Sequence, residues 1–145
     1  MKNHSLVLPL LFLIFSCSEA VDSKNLLVDF NSSPNEWLLH GRTYAEERHS
    51  PLDQINTSNV DQIGLSWSFE TGTNRGHETT PIVKDGVMFI TAPWSVVHAL
   101  DAKTGDLLWT YDPQVERAWA NNACCDVVNR GVALYENSIF FGTID

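Results

Sequence analysis

The chain of 145 residues has few basic residues, few cysteines and no hydrophobic run long enough to span a membrane. Only 9 Lys and Arg residues stand against 18 Asp and Glu, which gives a formal net charge of −9 at pH 7. This balance excludes the basic surface typical of nucleic-acid-binding proteins. Three cysteines are too few for a disulfide scaffold, and they lack zinc-finger spacing. The sequence also has no Ser-His-Asp set, phosphate-binding loop or haem-attachment Cys-x-x-Cys-His motif.

The first 20 residues have the parts of a secretory signal. Lys2 supplies a positive charge, residues 6–15 are apolar, and small residues lead to a cleavage site at Ala20. Such a run is too short to cross a bilayer core of about 30 Å as a helix. Residues 14–17 also resemble a bacterial lipoprotein box, in which Cys17 would be lipidated and would attach the protein to a membrane. We expect an exported, periplasmic protein, in a compartment where disulfides form.

The rest of the chain has the pattern of an all-β protein built of hairpins. Residues 21–36 form a polar, turn-rich segment, after which short apolar or alternating runs are separated by turn signals. Asp85-Gly86, between two apolar runs, predicts a tight β-turn. A turn of helix is predicted only over residues 43–48. The predicted strands are residues 65–69, 79–83, 87–91, 94–100, 107–111, 131–135 and 138–141.

An internal repeat favours a β-propeller over a solenoid or a plain sandwich. Residues 65–71 (LSWSFET) are echoed by residues 107–113 (LLWTYDP). Trp67 and Trp109 are therefore 42 positions apart (109 minus 67), a separation typical of one four-stranded propeller blade.

A second motif sharpens this interpretation. Residues 99–109 (ALDAKTGDLLW) match the tryptophan-docking motif of quinoprotein propellers. Asp101 and Thr104 are suited to hydrogen-bond the turn backbone, Gly105 permits a positive φ, and Trp109 offers a flat face to a neighbouring blade. The alternative is an ordinary Asp-x-x-Thr-Gly hairpin with a core tryptophan. The motif supports a fold and not a function, because such repeats also build non-catalytic propellers.

The adjacent pair Cys124-Cys125 is the most informative feature for chemistry. Neighbouring cysteines cannot easily bind one metal ion at tetrahedral angles. In an oxidising compartment they can instead close a small ring through their own peptide bond, giving a flat, rigid, apolar platform suited to stacking against a planar ring system. The alternatives are two free buried thiols or bonds to other cysteines. Cys17 would leave with the signal or be lipidated, which favours the ring.

Two charged residues are candidates for the same site. Arg130, five positions after Cys125, carries a planar fork of donors that fits carboxylates. Its alternative is a surface ion pair with Asp126 or Glu136. Glu78 lies in residues 76–81 (GHETTP), at a junction between loop and strand. A lone glutamate there is usually only solvated, and the neighbouring His77 is more often a loop residue than a ligand.

Together these segments resemble the N-terminal part of pyrroloquinoline quinone (PQQ)-dependent alcohol dehydrogenases. The resemblance is carried by residues 44–56 (YAEERHSPLDQIN), 59–60, 76–81, the docking motif, 111–113 (YDP) and 124–133 (CCDVVNRGVA). It runs from about residue 37 to residue 145. It implies an eight-bladed propeller that binds PQQ and a calcium ion, or a lanthanide, on its axis. Cys124 and Cys125 would form a vicinal disulfide stacked on PQQ, and Glu78 and Arg130 would contact its polar groups and carboxylates.

The resemblance also implies what lies elsewhere. The metal ligands and the catalytic-base aspartate are expected beyond Asp145, so no catalytic or metal-binding residue is assigned within the chain. We expect an N-terminal fragment with two to three blades, inactive and poorly folded by itself. The intact enzyme would oxidise a small primary alcohol and pass electrons to a c-type cytochrome, with haem c only if a C-terminal domain exists. The alternatives are a non-catalytic periplasmic propeller scaffold and a sugar dehydrogenase of the same cofactor class.

Overall fold

Short β-strands joined by tight turns make up most of the regular structure. The computed structural model describes residues 33–145, so the predicted signal over residues 1–20, Cys17 and residues 21–32 lie outside the described residues. The strands are β1 (Ile82–Lys84), β2 (Val87–Ala92), β3 (Val96–Asp101), β4 (Leu107–Tyr111), β5 (Ala133–Tyr135) and β6 (Ser138–Phe140). Short 3₁₀ helices occupy Val60–Gln62, Pro93–Ser95 and Arg117–Asn122. Over residues 33–145, no helix has the length and apolar character needed to cross a membrane.

The first four strands form one antiparallel sheet in the order β1-β2-β3-β4, and β5 and β6 form a separate hairpin. This confirms the all-β prediction and the hairpin pairing of all six strands. The Asp85-Gly86 turn has the predicted geometry: Lys84 faces Val87, and both turn residues have positive φ angles of 51° and 77°. Two such residues are the signature of a type I′ turn, whose twist matches that of the paired strands.

The docking turn after β3 confirms its predicted contacts and identifies a tryptophan packed against it. Asp101 Oδ1 accepts hydrogen bonds from the backbone N–H groups of Lys103 and Thr104, both at 2.9 Å. These two hydrogen bonds are the main reason why the pKa of Asp101 lies below its ordinary value. Gly105 has a φ of 77°, and the Trp67 indole packs so closely on it that an added Cβ would overlap the ring. Trp67 of one repeat therefore docks on the glycine of the next.

The core is centred on strand β3 and includes residues of β1, β2 and two later loops. Its buried apolar residues are Ile82, Ala92, Val97, Ala99, Leu100, Val115 and Val127. The edge strand β4 is exposed, and its aromatic side chains face the β5–β6 hairpin across a groove. Tyr111 packs edge-to-face with Phe141 at 5.9 Å between ring centroids. Trp109 thus faces the next hairpin along the chain, as expected of a residue between blades.

Two predicted elements are wrong, and the strand predicted over residues 94–100 begins only at Val96, because Trp94 and Ser95 have positive φ angles of 67° and 58°. Residues 65–69 form no strand, because no other strand in the described part of the chain pairs with them; Leu65 is 85% exposed. Their alternation is nevertheless real, since Trp67 packs on Gly105 and Phe69 packs on His98 at 5.2 Å. Residues 43–48 form a turn and no helix, because positive φ angles at Glu46 (56°) and Arg48 (53°) are incompatible with a right-handed helix.

His98 is a buried polar residue in the middle of the sheet. Its side chain on β3 shares a hydrogen bond of 2.9 Å with Thr110 of β4 through Nδ1. In the described part of the chain, Nε2 has no hydrogen-bond partner. Burial lowers the pKa of His98 below its ordinary value of 6.5, and the charge of His77 lowers it further.

We therefore expect the protein to lose stability as the pH falls below about 6.5. In that range the unfolded chain binds a proton at His98 more readily than the folded chain, so protonation favours unfolding. Denaturant titrations of the protein between pH 8 and pH 5 measure this dependence. His98→Gln keeps a polar side chain that does not titrate and should have a flatter profile. Equal pH dependence in both proteins would contradict the role of His98.

Candidate cofactor-binding site

Glu78 and Arg130 are brought together from two distant loops. Arg130 Nη2 and Glu78 Oε2 are 3.0 Å apart, and the two side chains are 76% and 42% exposed. Arg130 therefore pairs with Glu78, and neither Asp126 nor Glu136 is its partner. Because only one edge of the guanidinium is needed for this pair, the rest of the fork is free to receive a carboxylate.

Backbone contacts between the segment just before β1 and the loop that carries Arg130 fix this pairing. The Thr80 N–H donates to the Arg130 carbonyl at 3.1 Å. Gly131 has a φ of 124°, and an added Cβ would lie 3.0 Å from the Thr80 carbonyl oxygen. Only glycine is easily accommodated in this conformation. The close approach of the two loops thus explains why glycine follows Arg130.

Asn129 adds a set of side-chain hydrogen bonds to the same loop. Its Nδ2 donates to Ser95 Oγ at 3.1 Å and to the Gly142 carbonyl at 2.8 Å, while its Oδ1 accepts from the Gly131 N–H at 3.0 Å. Thr91 Oγ1 donates to the Asn129 carbonyl at 3.2 Å. Asn129 consequently links the four-stranded sheet to the segment that follows β6.

Cys124 and Cys125 follow the 3₁₀ helix Arg117–Asn122 and are both exposed. Their Sγ atoms are 2.8 Å apart, so the two side chains are in direct contact. No disulfide bond joins them in the structure, so the predicted vicinal disulfide stays a prediction. Both residues are exposed, so the alternative of two buried thiols does not apply. Their contact nevertheless brings the two sulfurs side by side on one turn, as a platform requires.

The two cysteines, Glu78 and Arg130 form one electrostatic unit. The hydrogen bond with Cys124 and the charge of Cys124 raise the pKa of the Cys125 thiol. Glu78 raises it further, whereas Arg130 acts in the opposite direction. The other three residues predicted to bind the cofactor are thus close enough to act on Cys125.

Sequence reasoning missed a second group beside the cysteine pair. Arg75 Nη1 forms an ion pair with Asp126 Oδ1. The guanidinium carbons of Arg75 and Arg117 lie 5.4 and 4.1 Å from the centre of the Trp94 ring, within cation–π range. Asp126 was visible as the residue after the cysteines, but no local signal joins it to Arg75, which is 51 positions away.

The arrangement suits a planar anion better than a metal ion. Across residues 33–145, no three His, Cys, Asp or Glu side chains converge as metal ligands. Arg130 offers a charged fork, Glu78 offers an acceptor, and the two sulfurs provide a soft, apolar surface next to them. A flat ring carrying carboxylates would contact all three. The donor set present therefore fits a carboxylated quinone such as PQQ.

Comparison with known proteins agrees with this chemistry. Residues 37–145 match the family model described as the β-propeller domain of PQQ-dependent glucose, ethanol and alcohol dehydrogenases. A relative named 1-butanol dehydrogenase (cytochrome c), from Thauera butanivorans, is 57% identical over 110 residues, covering 76% of this chain and 16% of the relative. The chain thus spans about a sixth of the length of the curated relatives it matches.

Solved structures show the same relationship. The quinohemoprotein alcohol dehydrogenase ADH-IIG of Pseudomonas putida superposes with a TM-score of 0.79 at 50% identity, covering 82% of this chain and 17% of that one. A europium-containing methanol dehydrogenase superposes with a TM-score of 0.74 at 39% identity, covering 82% of this chain and 21% of that one. The four-stranded sheet and the hairpin after it therefore have the arrangement found in quinoprotein propellers.

Proposed function

The chain belongs to the family of PQQ-dependent dehydrogenase β-propellers, and from that membership we propose that it is the N-terminal part of an alcohol dehydrogenase whose PQQ rests on Cys124, Cys125, Glu78 and Arg130. The observation that carries this proposal is the ion pair of 3.0 Å between Arg130 and Glu78, in the electrostatic range of Cys125. Two loops assigned to one cofactor from sequence meet at one exposed site. A non-catalytic scaffold has no need for such a site.

Each side chain has a distinct task in this proposal. Arg130 binds a carboxylate through the part of its fork that Glu78 leaves free, and Glu78 holds the guanidinium in a fixed orientation. Cys124 and Cys125 support one face of the ring and close to a disulfide by exchange with an external disulfide, which accepts the two electrons and two protons and becomes two thiols. The cofactor supplies, when bound, the two-electron acceptor for alcohol oxidation.

The substrate, the metal and the electron acceptor are proposed from the relatives. We propose a small primary alcohol as substrate, supported by relatives named for butanol and methanol. A c-type cytochrome as acceptor is supported by the cytochrome c in the name of the butanol enzyme. Calcium or a lanthanide would be held by residues outside this chain, and the europium in the methanol enzyme supports the second option. Periplasmic location follows from the signal-like residues 1–20 and remains a proposal, as does lipidation at Cys17.

The experiment that tests the function is reconstitution of the complete protein. The cofactor-free protein is titrated with PQQ in the presence of calcium or a lanthanide, and reduction of an artificial dye is followed with primary alcohols of increasing length. We expect saturable PQQ binding and alcohol-dependent dye reduction. A protein that binds no PQQ, or that binds it and oxidises no alcohol, would refute the proposal.

Arg130→Leu is expected to weaken PQQ binding about tenfold in the complete protein. A hydrogen bond to a charged group contributes about 1.5–3 kcal/mol, and the lower part of that range applies because Arg130 is exposed. The dissociation constant is measured by titration with PQQ. Arg130→Lys keeps the charge but not the planar fork, so its dissociation constant for PQQ should lie between those of wild type and Arg130→Leu. Lys103→Leu, which removes an exposed cation on the docking turn, is the control and should leave binding unchanged.

A further inference from the structure

The connection between β2 and β3 touches the cysteine turn at two points. The Trp94 N–H donates to the Val127 carbonyl at 2.9 Å, and Ser95 Oγ accepts from Asn129 Nδ2 at 3.1 Å. Val127 is only 1% exposed. The turn that carries the cysteines is therefore anchored to the sheet by a buried residue immediately after Asp126.

This connection has an unfavourable backbone conformation. Trp94 and Ser95 have consecutive positive φ angles of 67° and 58°. A bulky residue such as tryptophan rarely adopts this region, and it does so only where the surroundings hold it there. Here the surroundings include the guanidinium groups of Arg75 and Arg117 over the indole ring. Arg117 opens the 3₁₀ helix that leads directly to the cysteines.

Arg75 joins the two sides of this arrangement. It lies over Trp94 and also pairs with Asp126 Oδ1, the oxygen that accepts the Val127 N–H at 2.8 Å. Asp126 follows Cys125 directly and itself has a positive φ of 70°. The side chain of Arg75 thus contacts both Trp94, whose N–H donates to the Val127 carbonyl, and Asp126, the residue that follows the cysteine pair.

We propose that Arg75 and Trp94 are positioning residues that hold the Cys124-Cys125 turn in one conformation. The cluster of Arg75, Trp94, Arg117 and Asp126 fixes the backbone on both sides of the sulfurs, so that they stay side by side. Neither Arg75 nor Trp94 is assigned a direct contact with the cofactor. That the turn supports a cofactor rests on the proposed function. Whether Arg75 and Trp94 hold the two sulfurs in place can be measured without PQQ.

The test is the thiol–disulfide equilibrium of the pair in the complete, cofactor-free protein. The protein is equilibrated with mixtures of reduced and oxidised dithiothreitol, and the remaining thiols are alkylated and counted by mass. Two protein thiols lose two electrons and two protons to oxidised dithiothreitol, which becomes the dithiol. Fixing the turn in advance removes the entropy cost of bringing the sulfurs together, so loss of Arg75 should favour the dithiol.

We expect Arg75→Ala to lower the ring-closure constant about tenfold, equivalent to ~30 mV for a two-electron couple. Arg75→Lys should restore part of this loss, because the charge is kept and the flat fork is not. Asp126→Asn should act in the same direction, and the double variant should be no worse than the stronger single one. Arg48→Ala removes another exposed arginine–carboxylate pair, with Glu46, and should change nothing.

Each outcome bears on one of the two proposals. Closure constants equal to wild type in Arg75→Ala and in Asp126→Asn would overturn the positioning role. A wild-type pair that stays reduced throughout would overturn it as well, because there would be no ring to position. If Arg75→Ala does not fold, judged by circular dichroism, the closure constants of the milder Arg75→Lys and Asp126→Asn variants decide the question. PQQ titration of the same wild-type protein tests the proposed function separately.

Discussion

Replacing Cys124 with alanine in the complete protein is expected to lower PQQ-dependent alcohol turnover by about 100-fold. Cys124 and Cys125 lie exposed in contact on one turn, near Arg130, and we propose them as the support for one face of the cofactor. Without one sulfur that face is uneven, and the ring cannot close. A reacting group misplaced by about 1 Å costs on the order of 10²-fold in rate.

Steady-state dye reduction and PQQ titration separate the two ways in which this variant could fail. The free energy of unfolding should change by no more than about 0.5 kcal/mol, because Cys124 is exposed. Asn121→Ala, at an exposed position of the neighbouring 3₁₀ helix, is the matched control and should keep full turnover. Unchanged turnover of Cys124→Ala with PQQ bound would contradict the role assigned to the pair.

Gly105→Ala is expected to destabilise the protein by about 3 kcal/mol. Part of this cost is the left-handed conformation at φ 77°, which is about 1–2 kcal/mol less favourable for alanine. The remainder arises because the new methyl group would overlap the Trp67 indole, and overpacking of this kind costs about 1–3 kcal/mol. The docked tryptophan would have to move away from the turn.

Gly86→Ala is a closely matched control for this prediction. Gly86 has the same φ of 77°, but an added Cβ would meet no atom within 4 Å. Gly86→Ala should therefore lower the free energy of unfolding only by the cost of the left-handed conformation, about 1–2 kcal/mol. Urea titrations of the two variants and of wild type give the free energies of unfolding. Equal losses at both glycines would show that the contact between Trp67 and Gly105 contributes nothing.

Local patterns predicted most of the sheet. Strands β1–β6 were recognisable because each is a short apolar run next to a turn signal, and the Asp85-Gly86 turn and the Asp101 cap are determined by neighbouring residues. Glu78 and Arg130 were predicted through a resemblance, because no local pattern connects residues 52 positions apart (130 minus 78). Their ion pair became visible only in three dimensions.

The failures have the same physical origin. The alternation at residues 65–69 correctly indicates which side chains pack against the protein. A strand also needs a hydrogen-bonded partner strand, and within residues 33–145 no strand pairs with this segment. Composition at residues 43–48 permits a helix, but the segment folds back on the residues before it, with the Arg48 N–H donating to the Gly41 carbonyl at 3.1 Å, and φ is positive at Glu46 and Arg48. The sequence around Trp94 predicts an ordinary strand, whereas its backbone is left-handed and two arginines from distant parts of the chain lie over its ring.

The long sequence separation of the contacts around the site places its formation late in folding. Strands β1–β4 each pair with the next strand in the chain, whereas Arg75 and Asp126 are 51 residues apart and Thr91 and Asn129 are 38 apart. Closing longer loops costs more chain entropy and is slower. We therefore expect the sheet to form first during refolding, and the loops that carry Arg75 and Asp126 to close onto it last.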